Sequence, residues 1–530
     1  MFRREILKSA LLVTAGQLAL SNYVDALTIS PARPDGITGE PFDFAWLKGH
    51  ARWLAGNPYI ATPNTLPIEF SKMGYDQYQS IHFRNERSLW ADADLGFQLR
   101  FFHVGSGFMQ PVRIFEVNAG KSVEIVYSPA MFDLSDSGIS PRFMHGKSGF
   151  AGFRVQFVSN WEVDVAAFLG AAYFRAVGSD ARQYGISARA LAVDTALNRP
   201  EEFPRFTAFW FERPDKNSST LTLYALFDSP SVAGAMRLSL TPGGTQVMDT
   251  DVAFYPRKAI ERFGIAPLTS MFYYAQSDRH TTSEWRPEIH DSDGLSLWTG
   301  AGEWIWRPLT NPRDLHVNAY VDNNPRGFGL SQRDRNFDHY QDDGALYDRR
   351  PNLWIEPKSG LEGGWGKGAV QLVEIPTSDE FHDNVVVFWV PTDPPKPGQE
   401  ILFSYRMYWG TQMPFVSSLG QTIATRATNG GMSGQLLTHP AGRFAVDFAG
   451  GELGTLAKNA EVEAVVSTSR GQIDEFVTAH YVPQFNGYRA LFEIRSPDDS
   501  VEPINLRLYL RLHGRPLTET WVYQWTPPAH

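Results

Sequence analysis

Alternation with a period of two runs through most of this chain and leaves little room for any fold but β-sheet. INLRLYLRL is the clearest instance: Ile504, Leu506, Leu508, Leu510 and Leu512 fall on one face, and Asn505, Arg507, Tyr509 and Arg511 on the other. From residue 80 onward the same pattern recurs in LGFQLRFFHV, KSVEIVYSP, FRVQFVS, FTAFWFERP, STLTLYALFD and TQVMDTDVAFYP, punctuated by Gly, Pro, Asn and Asp. Strands of this length and spacing predict large antiparallel sandwiches. One helix is expected, from about Asp43 to just before Pro58, because Phe42, Phe44, Leu47, Ala51 and Leu54 recur at near-helical spacing. The run DVAAFLGAAYFRAV (Asp164 to Val177) suits either a short helix or a buried strand pair.

At 530 residues the chain exceeds one ordinary core. ILFSYRMYWG (Ile401 to Gly410) reads as a strand closing a large β-sandwich over 32–411. After a stretch rich in Gly, Thr and Ser, at least six further strand patterns predict a small immunoglobulin-like β-sandwich over 421–530. Ahead of both, Arg3 and Arg4 precede an apolar run from Ile6 to Leu20, and Val24-Asp25-Ala26 resembles a cleavage site. Residues 1–26 therefore read as a signal peptide of twin-arginine type, with export to the periplasm. No later stretch is apolar enough to span a bilayer, so an integral membrane protein is not expected.

Chemistry narrows by subtraction. The absence of cysteine removes thiol nucleophiles, disulfides and cysteine-ligated metals. A net charge of -10 argues against nucleic acid as partner. No complete phosphate loop, Gly-x-Ser-x-Gly elbow or His-Glu-x-x-His pair is present, and no metal or cofactor is expected. Paired carboxylates survive. Residues 284–365 hold six of the 15 tryptophans together with many Asp and Glu residues. Aromatic faces stack on pyranose rings, while carboxylates bind hydroxyls or move protons. This segment nominates Asp293, Trp298, Trp304, Asp322, Tyr340, Arg349 and Trp354 for substrate binding, with Trp304, Tyr340 and Trp354 as groove walls. Asp291 and Asp383 lie just before different strands, so their loops can converge. The alternatives are an Asx turn for Asp291 and a solvated acidic turn for Asp379, Glu380 and Asp383.

Read in order, FRVQF, FLGAAYFRAV, YGISARALAVDT, EEFPRFTAFWFERP, GIAPLTSMF, EIHDSDGLSLWTGAGEWIWRPL, NAYVDNNPRGFGLSQRDRNFDHYQD and RRPNLWIEP resemble the OpgG/OpgD (MdoG/MdoD) family of osmoregulated periplasmic glucan biosynthesis. The twin-arginine leader resembles the OpgD branch. The resemblance implies a galactose-mutarotase-like sandwich with a long cleft, an immunoglobulin-like domain, and inverting action on β-1,2-glucan. It implies Asp291 as general base, Asp383 as general acid, and Tyr347 as an element of a proton relay through substrate hydroxyls or water. With a sugar hydroxyl as acceptor, the same residues would perform transglycosylation or cyclisation, a choice expected to rest on loops such as 332–348. The alternative is a non-catalytic module that binds glucan and hands it to membrane-bound synthesis machinery.

Overall fold

The computed structural model describes residues 39–63, 66–140, 148–170, 172–181, 183–279, 284–360, 364–431, 439–457 and 460–528. The expected signal peptide and its twin-arginine pair lie outside the described residues. Strands dominate, as the alternation requires. A 16-stranded sheet and a 10-stranded sheet make the two principal layers. Between them, Phe153 of the smaller sheet meets Phe209 and Phe211 of the larger edge to face, at centroid distances of 4.8 and 4.6 Å. The run over 164–177 resolves as strands, Asn160–Leu169 and Tyr173–Ala176, because Phe168 and Phe174 must both enter this core.

The expected helix is Phe44–Ala55. Asp43 caps it by accepting a 2.6 Å hydrogen bond from the Trp46 amide, which suits a residue with a free carboxylate and extended backbone. Leu47 and Ala51 are fully buried, and the helix packs on the outer face of the large sheet beside Trp210 and Tyr224.

The 10-stranded sheet has two unlike faces, and this positions the site. Directly paired residues share a face. Phe97, Leu99, Phe153, Val155, Phe168, Phe174 and Val387 point into the core. The opposite face carries Arg100, paired with Arg154 across the strands Phe97–His103 and Phe150–Phe157. Arg154 pairs with Ala167, and Ala167 pairs with Arg175. One row across four strands therefore bears three arginines.

Beyond residue 420, a five-stranded sheet that includes Gln421–Asn429, Ala441–Ala449 and Gly487–Arg495 faces the strands Glu463–Thr468, Ile504–Leu512 and Thr520–Trp525. Ile504, Leu506, Leu508 and Leu510 are buried as their spacing predicts. The second group of strands is the end of the 16-stranded sheet. Thr520–Trp525 pairs in parallel with Trp304–Pro308, placing Trp306 opposite Trp521. Trp306 is accordingly buried in the C-terminal core. A bidentate pair from Arg333 to Glu519 (2.6 and 3.1 Å) and a hydrogen bond from Tyr523 Oη to the Ser277 carbonyl (2.9 Å) reinforce the junction.

Candidate functional site

Asp291 and Asn384, the neighbour of Asp383, are tied to adjacent residues of one segment. The Asp291 amide donates to the Met271 carbonyl at 2.8 Å. One residue on, Phe272 is clamped by Asn384: its amide donates to Asn384 Oδ1 at 2.8 Å, and Asn384 Nδ2 donates back to its carbonyl at 2.9 Å. A third bond, from Asn384 Nδ2 to the Ile375 carbonyl at 3.0 Å, fixes the chain just ahead of Val385–Pro391. Two carboxylates 92 positions apart thus hang from neighbours of one dipeptide.

Neither is a solvated turn acid. Asp291 is 5% exposed and is paired with Arg350, itself buried. Asp383 has a side chain only 9% exposed and stands 3.8 Å from Arg175. Arg175 Nε donates to Ser187 Oγ at 2.6 Å, and the neighbouring Arg189 donates to Thr269 Oγ1 and Glu201. The alternation rule explains how such arginines are buried: they occupy the polar face of the 10-stranded sheet. Each arginine is held by a carboxylate, as a buried charge requires.

Tyr347 links the two ends of the site. Its ring lies under the Arg350 guanidinium at 4.3 Å, and its hydroxyl donates to Glu380 at 2.5 Å. Glu380 in turn accepts from Arg286, which also binds Glu284 and Asp342. Burial draws the Arg286 guanidinium down, but the three carboxylates outweigh it and hold the group charged, above its ordinary range. The segment 379–383 is therefore anchored: Glu380 belongs to this network, and Asp379 caps its own turn through Phe381 N and His382.

The other nominated residues separate into groups. Asp293 is partly buried and accepts the amides of Arg333 and Asp334 at 3.0 and 2.9 Å, so it holds a turn beneath the site. Tyr340 is fully buried, its hydroxyl spent on the Asp334 carbonyl at 3.0 Å and its ring against His290, and it forms a floor rather than a wall. Arg349 points outward with 62% of its side chain exposed, beside Asp348. Trp298 and Trp304 sit at the far end of Gly294–Trp298, about 20 Å from Asp291 along the strand direction. They stack at 4.9 Å, and Trp304 lies on Trp354 at 5.7 Å. Trp354 has no exposed surface and cannot line a groove. Asp322 accepts the Gly300 amide at 2.9 Å and closes the turn at that same remote end. The expectation of a tryptophan-walled groove at Asp291 is thereby corrected. These indoles lie on the face of the large sheet turned away from the sandwich core, since they alternate with the core residues Leu297, Ile305, Leu353 and Ile355, and Phe415 packs against Trp298 and Trp354 there.

Sequence reasoning missed Arg350, Asn384, Arg175, Arg286 and Glu380 as members of the site. A usable signal was present for Arg175: a polar member of a strand pattern with apolar neighbours on both sides. Below the site, His290 is fully buried between Glu288 (3.0 Å) and Gln332 (2.9 Å). Burial lowers its affinity for a proton, but the Glu288 carboxylate more than offsets this, and its pKa is raised. Glu288, Asp334 and His339 bring potential metal-ligand atoms within 4.8 Å of one another. Internal partners already engage them, since His339 Nδ1 lies 2.5 Å from Asp334 and Glu288 is bound to His290.

Residues 42–525 match the family model described as periplasmic glucan biosynthesis protein, MdoG. A glucans biosynthesis protein D of Xanthomonas axonopodis pv. citri is 55% identical over 491 residues, covering 92% of this chain and 91% of its own. One from Stenotrophomonas maltophilia is 55% identical over 489 residues, 92% and 90% covered. One from Xanthomonas campestris pv. campestris is 53% identical over 532 aligned positions, with 100% of this chain and 98% of the relative covered. Among solved structures, a galactose mutarotase related enzyme from Lactobacillus acidophilus overlaps 47% of this chain and 98% of its own. At 9% identity and a TM-score of 0.21, that likeness carries no argument. Matched almost from end to end, the chain belongs to the MdoG family of periplasmic glucan biosynthesis proteins.

Proposed function

We propose that this protein is a periplasmic enzyme of glucan biosynthesis that cuts or rearranges β-1,2-glucan with inversion at the anomeric carbon. The observation that carries the reading is the pair Asp291 and Asp383, two largely buried carboxylates whose separate loops are registered on Met271 and, through Asn384, on Phe272. Inverting glycoside cleavage needs one carboxyl group as general acid and one as general base, apart in sequence and rigid in space. Their surroundings are unequal: Arg350 contacts Asp291 directly, and Arg175 stands 3.8 Å from Asp383. Unequal surroundings let two like groups take opposite proton roles. Asp291 is the base, Asp383 the acid, and Tyr347, between Arg350 and Glu380, orders the proton's path. Among the described residues no helix is long and apolar enough to cross a membrane. The proposed location is the periplasm, with the glucan as partner and delivery to or from membrane-bound synthesis machinery as its setting.

Purified protein incubated with linear β-1,2-glucan should change its chain-length distribution. Product mass separates the outcomes: addition of water at each break is hydrolysis, and loss of water relative to a linear chain is a ring. Asp291→Asn and Asp383→Asn should each lose at least about 10²-fold in rate. Binding by folded wild type with no turnover, unchanged in both variants, would replace this reading with the non-catalytic glucan carrier.

A further inference from the structure

The strands Gly327–Ser331 and Asn352–Ser359 pair as a hairpin, yet the connection between them runs over residues 332–351. A connection this long is uncommon inside a compact domain and usually carries function. Here it carries Tyr347 and Arg350, and its path is strained. Gln341 (φ 54°) and Leu346 (φ 52°) both hold left-handed backbone, an outlying conformation for a side chain as bulky as leucine. Such backbone persists only where its surroundings over-determine it.

One guanidinium closes the base of this connection. Arg335 Nη1 donates to the Arg350 carbonyl at 2.7 Å and to the Asp348 carbonyl at 3.1 Å, and Nη2 reaches Asn352 Oδ1 and the Thr411 carbonyl, each at 3.4 Å. The acceptors are themselves tied down. Asn352 Oδ1 accepts the Gln332 amide at 2.7 Å, Asn352 Nδ2 donates to the Thr411 carbonyl at 2.9 Å, and Thr411 donates its amide and hydroxyl to Asp180. Arg335 departs from the rule that Arg175 and Arg189 obey: among the described residues no carboxylate binds it, and Asp293, Asp180 and Asp348 act on it only at longer range. A cation spent on several main-chain oxygens at once answers a geometric demand, one that a planar fork of five donors meets and an ammonium does not. The demand is the direction of Arg350. From the carbonyl that Arg335 holds, the Arg350 side chain runs past Gly185, where a Cβ would lie 3.1 Å from its own, donates through Nη2 to the Ala345 carbonyl at 3.1 Å, and meets Asp291.

We propose that Arg335 is a positioning residue, stapling the two ends of the 332–351 connection so that its strained turn aims Arg350 at Asp291. This rests on the proposed role of Asp291 as base, and it adds what keeps the partner of that base in place. The test is a double-mutant cycle of Arg335→Met with Arg350→Gln, read by urea unfolding and by kcat and KM on linear β-1,2-glucan. Arg335→Lys runs through the same cycle, so the comparison survives if the methionine variant does not fold. Both Arg335 variants should lower kcat by about tenfold or more with KM within about twofold, because a displaced partner costs reaction geometry rather than ground-state binding. Lysine keeps the charge, so a loss common to both variants isolates the fork. In Arg350→Gln protein the same substitutions should lower kcat by less than about twofold further. The unfolding equilibrium constants should be non-additive by about fivefold or more, whereas independent sites add to within about twofold. Full activity in Arg335→Lys, or additive effects in either cycle, overturns the proposal. Folded wild type that leaves the glucan unchanged would sink the enzymatic reading, and the unfolding cycle would then decide on the staple by itself. Turnover with additive cycles would sink the staple and leave the enzyme.

Discussion

Asn384 offers a direct way to ask whether registration of the two carboxylates matters. It is 2% exposed and makes three side-chain hydrogen bonds, of 2.8, 2.9 and 3.0 Å, to Phe272 N, Phe272 O and Ile375 O. Asn384→Leu preserves approximate shape and deletes all three. At a net worth of about 1 kcal/mol per bond, the loss is about 3 kcal/mol, rising toward about 5 because the Phe272 amide is left buried without an acceptor. Asn384→Asp keeps that acceptor but sets a buried carboxylate oxygen against the Phe272 and Ile375 carbonyls, so it should cost at least as much as Asn384→Leu. Urea unfolding at neutral pH measures both. Catalysis should suffer more than stability predicts. A displacement of about 1 Å between reacting groups costs on the order of 10² in rate, so Asn384→Leu should cut kcat on linear β-1,2-glucan by about that factor, with KM little changed, well below its unfolding midpoint. A variant that loses stability as calculated yet turns over like wild type would refute the idea that Phe272 registers Asp383 against Asp291.

Three further outcomes are expected. Tyr347→Phe removes the 2.5 Å bond to Glu380 and should cost about 1.5 kcal/mol while lowering kcat at least about tenfold; an unchanged kcat would dismiss Tyr347 from the proton path. Glu519→Gln breaks the pair with Arg333 and should destabilise by about 3 kcal/mol in urea, the low end for a buried pair because Arg333 keeps 18% of its side-chain exposure; a cost under about 1 kcal/mol would contradict the packing described. His290, whose folded pKa is raised above 6.5, contributes stability in full below that value and loses it as pH rises through the folded pKa, while the lowered pKa of Glu288 makes its share present above 4.5 and lost in acid. The difference in unfolding free energy between wild type and His290→Gln should therefore shrink as pH climbs past about 6.5, and a difference that stays flat to pH 9 would be inconsistent with a charged pair.

Local pattern carried well where one face decides everything. Ile504 to Leu510 alternate inward as written, and Asp43 starts the helix that its neighbours' spacing describes. It failed where direction depends on partners distant in the chain. Tryptophans in a sugar-like composition suggested display, but Trp354, which alternates with the core residues Leu353 and Ile355 and so faces away from the sandwich core, is covered there by Trp304 and Phe415, contacts that lie far off in the chain. The doublet at 349–350 shows the limit at its finest. Arg349 closes a short helical turn and projects outward, while extended backbone at Arg350 sends the adjacent side chain down to Asp291. One residue of register separates a rim group from the partner of the proposed base. Asp383 was placed beside a strand correctly, but the clamp that fixes it, Asn384 on Phe272, is a contact across 112 positions.

The parallel pairing of Thr520–Trp525 with Trp304–Pro308 has a practical consequence for anyone dissecting the protein. A chain cut near residue 411 would not be a smaller copy of the intact molecule. It would uncover the backbone donors and acceptors of Trp304–Pro308 and strip the cover from the Trp306 indole, presenting an open, sticky border of the kind along which strands from separate molecules join. The last hundred residues thus serve as a seam binding for the larger fabric, and insolubility of the truncated form would report a raw edge rather than a damaged site.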